Sequence, residues 1–82
     1  MKLEFNQAYV KNSEKKEEEY GTWTEATIAD GESDIVLRSY DEKVDLRSLK
    51  PKTVVNLAVE GDFGKPSQYG IRFEVTKLTP VK

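Results

Sequence analysis

Apolar residues recur at every second position over most of this chain. Lys2-Leu3-Glu4-Phe5 starts an alternation that Ala8-Tyr9-Val10 resumes in shifted phase, which is the pattern of a bulged strand expected over about 2–12. From Asn12 to Glu19 the chain is polar and charged with no apolar anchor. Glu and Lys favour helix, but a helix here would have no face to bury, so a charged mobile loop is expected at about 12–19. Tyr20–Asp30 is rich in Thr, Trp and Ile and reads as a second strand, with Ala26 and Ile28 on one face and Trp23, Glu25 and Thr27 on the other. Asp30-Gly31-Glu32-Ser33 carries turn chemistry, so Asp34–Tyr40 should fold back as an antiparallel third strand in which Ile35 and Leu37 alternate with Val36, Arg38 and Tyr40.

Asp41–Lys52 breaks the strand pattern, and Val44–Leu49 predicts one short helical turn before Pro51 stops it. Thr53–Glu60 is the clearest strand, with Val55, Leu57 and Val59 facing one way and Val54, Asn56 and Ala58 the other. Gly61, Gly64, Pro66 and Gly70 mark a long hairpin tip before Ile71–Val75 alternates again as the fifth strand. Leu3, Phe5, Ile28, Leu57, Val59, Ile71, Phe73 and Val75 form the expected core. Five strands with a small helical plug between the third and fourth predict an all-β, five-stranded Greek-key barrel of the OB-fold type, and an SH3-like barrel is the competing arrangement.

A length of 82 residues fits one domain, 1–82, with one core. Such a short chain gains from pairing with a second copy. No stretch reaches the roughly 18 consecutive apolar residues of a membrane span, and no apolar signal-peptide core follows Met1-Lys2-Leu3, so a soluble, cytoplasmic protein is expected. The absence of Cys and His removes disulfides, thiolate metal sites, Cys nucleophiles and His general bases.

Carboxylates are plentiful, yet no pair has the spacing of a convergent acid and base. Asp30, Glu32 and Asp34 lack the rest of a calcium-loop pattern. The expectation is a protein with no catalytic residue, no metal and no cofactor. The net charge of −2 conceals an asymmetry. Residues 1–42 hold five basic and eleven acidic side chains, a balance of −6, whereas residues 43–82 hold eight and four, a balance of +4.

The chemistry left to such a chain is binding. Single strands of nucleic acid are held by stacking bases on aromatic rings and following phosphates with Lys and Arg. Trp23, Arg38 and Tyr40 fall on one predicted sheet face, although Trp23 or Tyr40 could instead cap the barrel core. Phe63 and Tyr69, with Lys65 between them, sit on the Gly-rich hairpin where a large ring has little core to enter, or else fold back over the sheet. Lys43, Arg47, Lys50 and Lys52 in the connector and Arg72 on the fifth strand are candidates for a phosphate track or a merely solvated surface. The candidate nucleic-acid-binding set is Trp23, Arg38, Tyr40, Lys52, Phe63, Lys65, Tyr69 and Arg72. The rival class is a small acidic protein-interaction module or inhibitor, which would need no such basic, aromatic surface.

Lys50-Pro51-Lys52 leads into Thr53-Val54-Val55-Asn56-Leu57, the hairpin ends in Gln68-Tyr69-Gly70, and the tail reads Lys77-Leu78-Thr79-Pro80-Val81-Lys82. With Trp23-Thr24-Glu25 and Ile35-Val36-Leu37-Arg38, this pattern resembles the single-stranded-DNA-binding proteins of filamentous bacteriophages. The resemblance implies an OB-fold homodimer that coats single-stranded DNA during replication, and it alone favours DNA over RNA, which the stacking and phosphate chemistry would equally admit. It also implies that the Phe63 position contacts DNA and that the hairpin builds the dimer. Where that family carries basic residues in the loop after the first strand, this chain has Glu17, Glu18 and Glu19.

Overall fold

The computed structural model describes residues 1–19, 21–31, 33–64 and 72–81, with the backbone alone at position 30. Among the described residues, five strands, β1 (Lys2–Glu18), β2 (Gly21–Asp30), β3 (Ser33–Ser39), β4 (Thr53–Phe63) and β5 (Arg72–Pro80), and one 3-10 turn, η1 (Leu46–Ser48), make up the regular structure. The strands close into a barrel in the order β1-β2-β3-β5-β4. Neighbours are antiparallel except β3 and β5, which run parallel. The all-β, five-stranded expectation therefore holds, with the short turn between the third and fourth strands.

β1 serves two partners because it is long and twice interrupted. Its first half pairs with β4 and its second half with β2, with register shifts between Phe5 and Ala8 and between Val10 and Asn12. The first shift is the bulge that the change of hydrophobic phase predicts. Gln7 takes a left-handed φ of 52° there, and its N–H donates to Asn56 Oδ1 at 2.7 Å, which anchors the unusual backbone.

The expected loop at 12–19 is corrected by this strand, which continues to Glu18 and pairs residue by residue with β2 from Asn12↔Thr27 to Glu18↔Gly21. Hydrogen bonds to β2 supply what the segment lacks in apolar anchors. Lys15–Glu17 at 3.5 Å and Lys16–Glu14 at 3.1 Å also place opposite charges two residues apart, on the same face of an extended strand. Ser13 turns inward and donates its hydroxyl to the Leu49 carbonyl at 2.7 Å, tying β1 to the residue that ends η1.

β2 and β3 form the expected hairpin, with Asp30 opposite Ser33 and Gly31 at a φ of 69°, in the left-handed region that glycine enters without steric penalty. β4 and β5 run past their expected ends, and Gly61 explains how they do so. A Cβ on Gly61 would overlap the Glu74 carbonyl oxygen and meet Phe73 Cε1 at 3.2 Å, so only glycine lets the two backbones come this close at the register shift between Glu60 and Gly61.

The core joins Phe5, Ala8, Val10, Ala26, Ile28, Leu37, Leu57, Val59, Phe73 and Val75 from all five strands, with Leu3 packed against it. Ile71 lies outside the described residues. Leu46 and Leu49 enter this core from η1. Asp45 caps the turn by accepting the Arg47 N–H at 2.9 Å, and the Leu46 N–H donates to Thr24 Oγ1 at 3.1 Å. Among the described residues no helix is long and apolar enough to cross a membrane.

Candidate functional site

Pleating decides which side chains share the outer face. Because Ala26, Leu37 and Phe73 point inward, their strand neighbours Glu25, Arg38 and Arg72 point outward, and the register brings them together. Glu25 is paired with Arg38, Val36 with Arg72, and Lys16 with Trp23. A shallow groove of about 510 Å³ runs across β1, β2, β3 and β5 between Lys16, Trp23, Glu25, Val36, Arg38 and Arg72.

At the centre of this face is a four-residue cluster. Trp23 Nε1–H donates to Glu25 Oε1 at 2.9 Å, and Arg38 donates to the same oxygen through Nε, at 2.9 Å, and through Nη2. Arg38 Nη1 donates to the Tyr40 hydroxyl oxygen at 3.0 Å. The Arg38 guanidinium carbon stands 4.4 Å from the centre of the Trp23 ring, and the Trp23 and Tyr40 rings lie 5.9 Å apart, tilted by 52°. Burial alone would raise the Glu25 pKa, but the hydrogen bonds from Trp23 and Arg38 and the Arg38 charge outweigh it and hold the carboxyl below its ordinary value. Burial would likewise lower the Arg38 pKa, and the bonds to Tyr40 and Glu25 reverse the sign.

Trp23, Arg38 and Tyr40 thus share one outer surface, as the alternation of their strands predicts, and the β3–β5 register adds Arg72 to it. Their roles differ from what spacing alone suggests. Trp23 is only 6% exposed, and it is buried on the outer face beneath Arg38 rather than inside the barrel core. Tyr40, one residue beyond β3, is 55% exposed and forms a wall of a second cleft of about 240 Å³ beside η1. That cleft is also lined by Lys15, Asp41, Glu42, Asp45 and Arg47. Arg47 is committed to Asp45, whose carboxyl it holds down to about 2 through side-chain hydrogen bonds.

Two candidates stand apart from the cluster. Lys52 is exposed with a left-handed φ of 65°, and its N–H donates to the Val10 carbonyl at 2.7 Å. Lys16 is six residues further along β1, roughly 20 Å at about 3.3 Å per residue. Phe63 is paired with Phe73 and packs its ring edge-on against it at 5.1 Å and 83°, so it shares the inward phase and stays half exposed rather than joining Arg72. Lys65 and Tyr69 lie outside the described residues.

Lys16 escapes a reading by hydrophobic period because nothing apolar marks the strand that carries it. Glu25 is legible as a neighbour of Trp23 by alternation, but its part in holding Arg38 depends on the β2–β3 register. Protein-family models, curated proteins and solved structures offer no match to this chain.

Proposed function

We propose that this is a non-enzymatic, cytoplasmic single-stranded-DNA-binding protein of the kind a phage or other mobile element uses in replication. The observation that carries the reading is the convergence of Trp23, Arg38 and the exposed Tyr40 with Lys16 and Arg72 on one outer face of a small barrel. The closed order β1-β2-β3-β5-β4, with β3 parallel to β5, supports an OB-type barrel, and the preference for DNA over RNA rests on the sequence resemblance to filamentous-phage proteins alone.

A cationic rim with aromatic rings binds single strands with little regard to sequence, because every base has a face to stack and every nucleotide a phosphate. With Lys16 and Arg72 as the phosphate contacts of this face, log affinity should fall against log salt with a slope of roughly −1.4, at about −0.7 per contact. Mobility shift with a short oligothymidine at low salt tests the reading, with an RNA oligomer as a second arm. Absence of binding to both sinks it.

A second copy of the chain belongs to the same proposal. Tyr9 and Val54 are directly paired across β1 and β4 and are 41% and 61% exposed, on a domain small enough to gain from the added burial. Light scattering at tens of micromolar should return twice the single-chain mass, and a monomer mass defeats the dimer.

One observation favours a rival reading as an acidic protein-interaction module. The cleft beside η1 gathers Asp41, Glu42 and Asp45 against Lys15 and Arg47, a surface suited to a basic segment of another protein. The binding assay separates the two readings, since such a module needs no affinity for nucleic acid.

A further inference from the structure

We infer that Tyr40 is the ring on which a base stacks and that Arg38 is a positioning residue that holds Tyr40, not a phosphate contact. The inference rests on the single-strand-binding reading above.

A stacking platform needs an open face. Trp23 lacks one, being 6% exposed with the Arg38 guanidinium over its ring, whereas Tyr40 is 55% exposed. A phosphate contact needs a cation that solvent reaches and whose present partner is itself solvated, so that exchanging one anion for another costs little. The Lys16–Glu14 pair, with 40% and 52% of its side chains exposed, meets that condition. The Arg38 side chain retains 13% of its exposure, Glu25 retains 17%, and the Glu25 carboxylate takes both the Nε and the Nη2 donors. To recruit this arginine, a phosphate would have to displace a carboxylate that is already desolvated and in contact, which costs more than any exposed lysine would demand. Lys16 has 40% of its side chain exposed and shares the groove with Arg72, so these two supply the positive rim instead.

The donors left on Arg38 show its task. The planar fork of the guanidinium fixes the directions of its N–H groups, and with Nε and Nη2 held by Glu25, Nη1 is aimed at the Tyr40 hydroxyl at 3.0 Å. Tyr40 lies beyond the last residue of β3, where the ladder no longer fixes it, so this bond and the tilted contact with Trp23 set the angle of the ring. The chain of support runs from Trp23 and Glu25 through Arg38 to Tyr40.

The test is oligothymidine affinity as a function of salt for the wild type, Arg38→Ala, Tyr40→Phe, the double variant and Arg72→Ala. Tyr40→Phe keeps the ring and removes only the hydroxyl that Arg38 holds, so affinity should fall by about 2- to 10-fold, the equivalent of one hydrogen bond. Arg38→Ala should weaken binding with an unchanged salt slope, and the double variant should lose no more than Arg38→Ala alone. Arg72→Ala, which removes a phosphate contact, should make the slope shallower by about 0.7.

A shallower slope in Arg38→Ala, or wild-type affinity in Tyr40→Phe, overturns the inference while leaving the binding function standing. Failure of the wild type to bind overturns both. Should Arg38→Ala unfold, Arg38→Gln carries the slope measurement, and Tyr40→Phe, altered only at an exposed hydroxyl, carries the other arm.

Discussion

Val36 on β3 and Arg72 on β5 are register partners in the parallel strand pair that closes the barrel. Their contact brings a cation from the basic half of the chain against the sheet face built by the acidic half. The outer face then holds Lys16, Arg38 and Arg72 together with Glu14, Glu18, Glu25 and Glu74, so local pairing rather than net charge decides where a phosphate can sit.

The exposed ring gives the most direct mutational prediction. Tyr40→Ala should lose roughly 1 to 3 kcal/mol of binding to single-stranded DNA, the usual worth of a base-stacking ring. Stability should hold, because Tyr40 is 55% exposed and outside the core. Paired titration and thermal unfolding check both halves of the statement.

The acidic end of β1 should oppose binding. Glu17 and Glu18 close the strand beside Lys15 and Lys16, and at about 10 Å in water each carboxylate repels a phosphate by on the order of 0.4 kcal/mol. Changing Glu17, Glu18 and Glu19 together to Gln should tighten DNA binding a few-fold at low salt. The gain should shrink as the Debye length falls toward roughly 8 Å at physiological salt. Weaker binding would show that the glutamates organise Lys15 and Lys16.

Glu25 makes stability depend on pH in a definite direction. Its carboxyl is held below its ordinary value in the fold, so its contribution is complete above the unfolded value of about 4.3 and is lost as pH falls through the lower folded value. Glu25→Gln should melt below the wild type at pH 7, and the gap should close as pH drops below about 4. A gap that is constant from pH 7 to pH 3 would show that the charge of Glu25 is irrelevant to its role.

Gly61→Ala tests the close approach of β4 and β5. The added methyl would overlap the backbone oxygen of Glu74, which no rotamer change can relieve, so the loss should be at least the roughly 3 kcal/mol of severe overpacking. Chemical denaturation should show it as a lower midpoint or an absent transition. A near-wild-type midpoint would mean that the two strands can separate at their register shift.

Alternation alone determined much of this molecule. Phe5, Ile28, Leu57, Val59, Phe73 and Val75 are buried as their period demands, the phase change after Phe5 marks a real bulge, and Gly31 turns the β2–β3 hairpin. Outward placement of Trp23, Glu25, Arg38 and Tyr40 followed from the same rule, because in a strand the neighbour of an inward residue points out. Tertiary structure decided the rest. Whether residues 13–18 form a loop or a strand depends on the backbone partner that β2 provides, and hydrogen bonds between main chains leave no hydrophobic signature in the side chains. Burial of Trp23 beneath Arg38, neutralisation of Arg38 by Glu25 and the arrival of Arg72 beside Val36 all depend on cross-strand register, which joins residues far apart in the chain and is fixed only when the barrel closes.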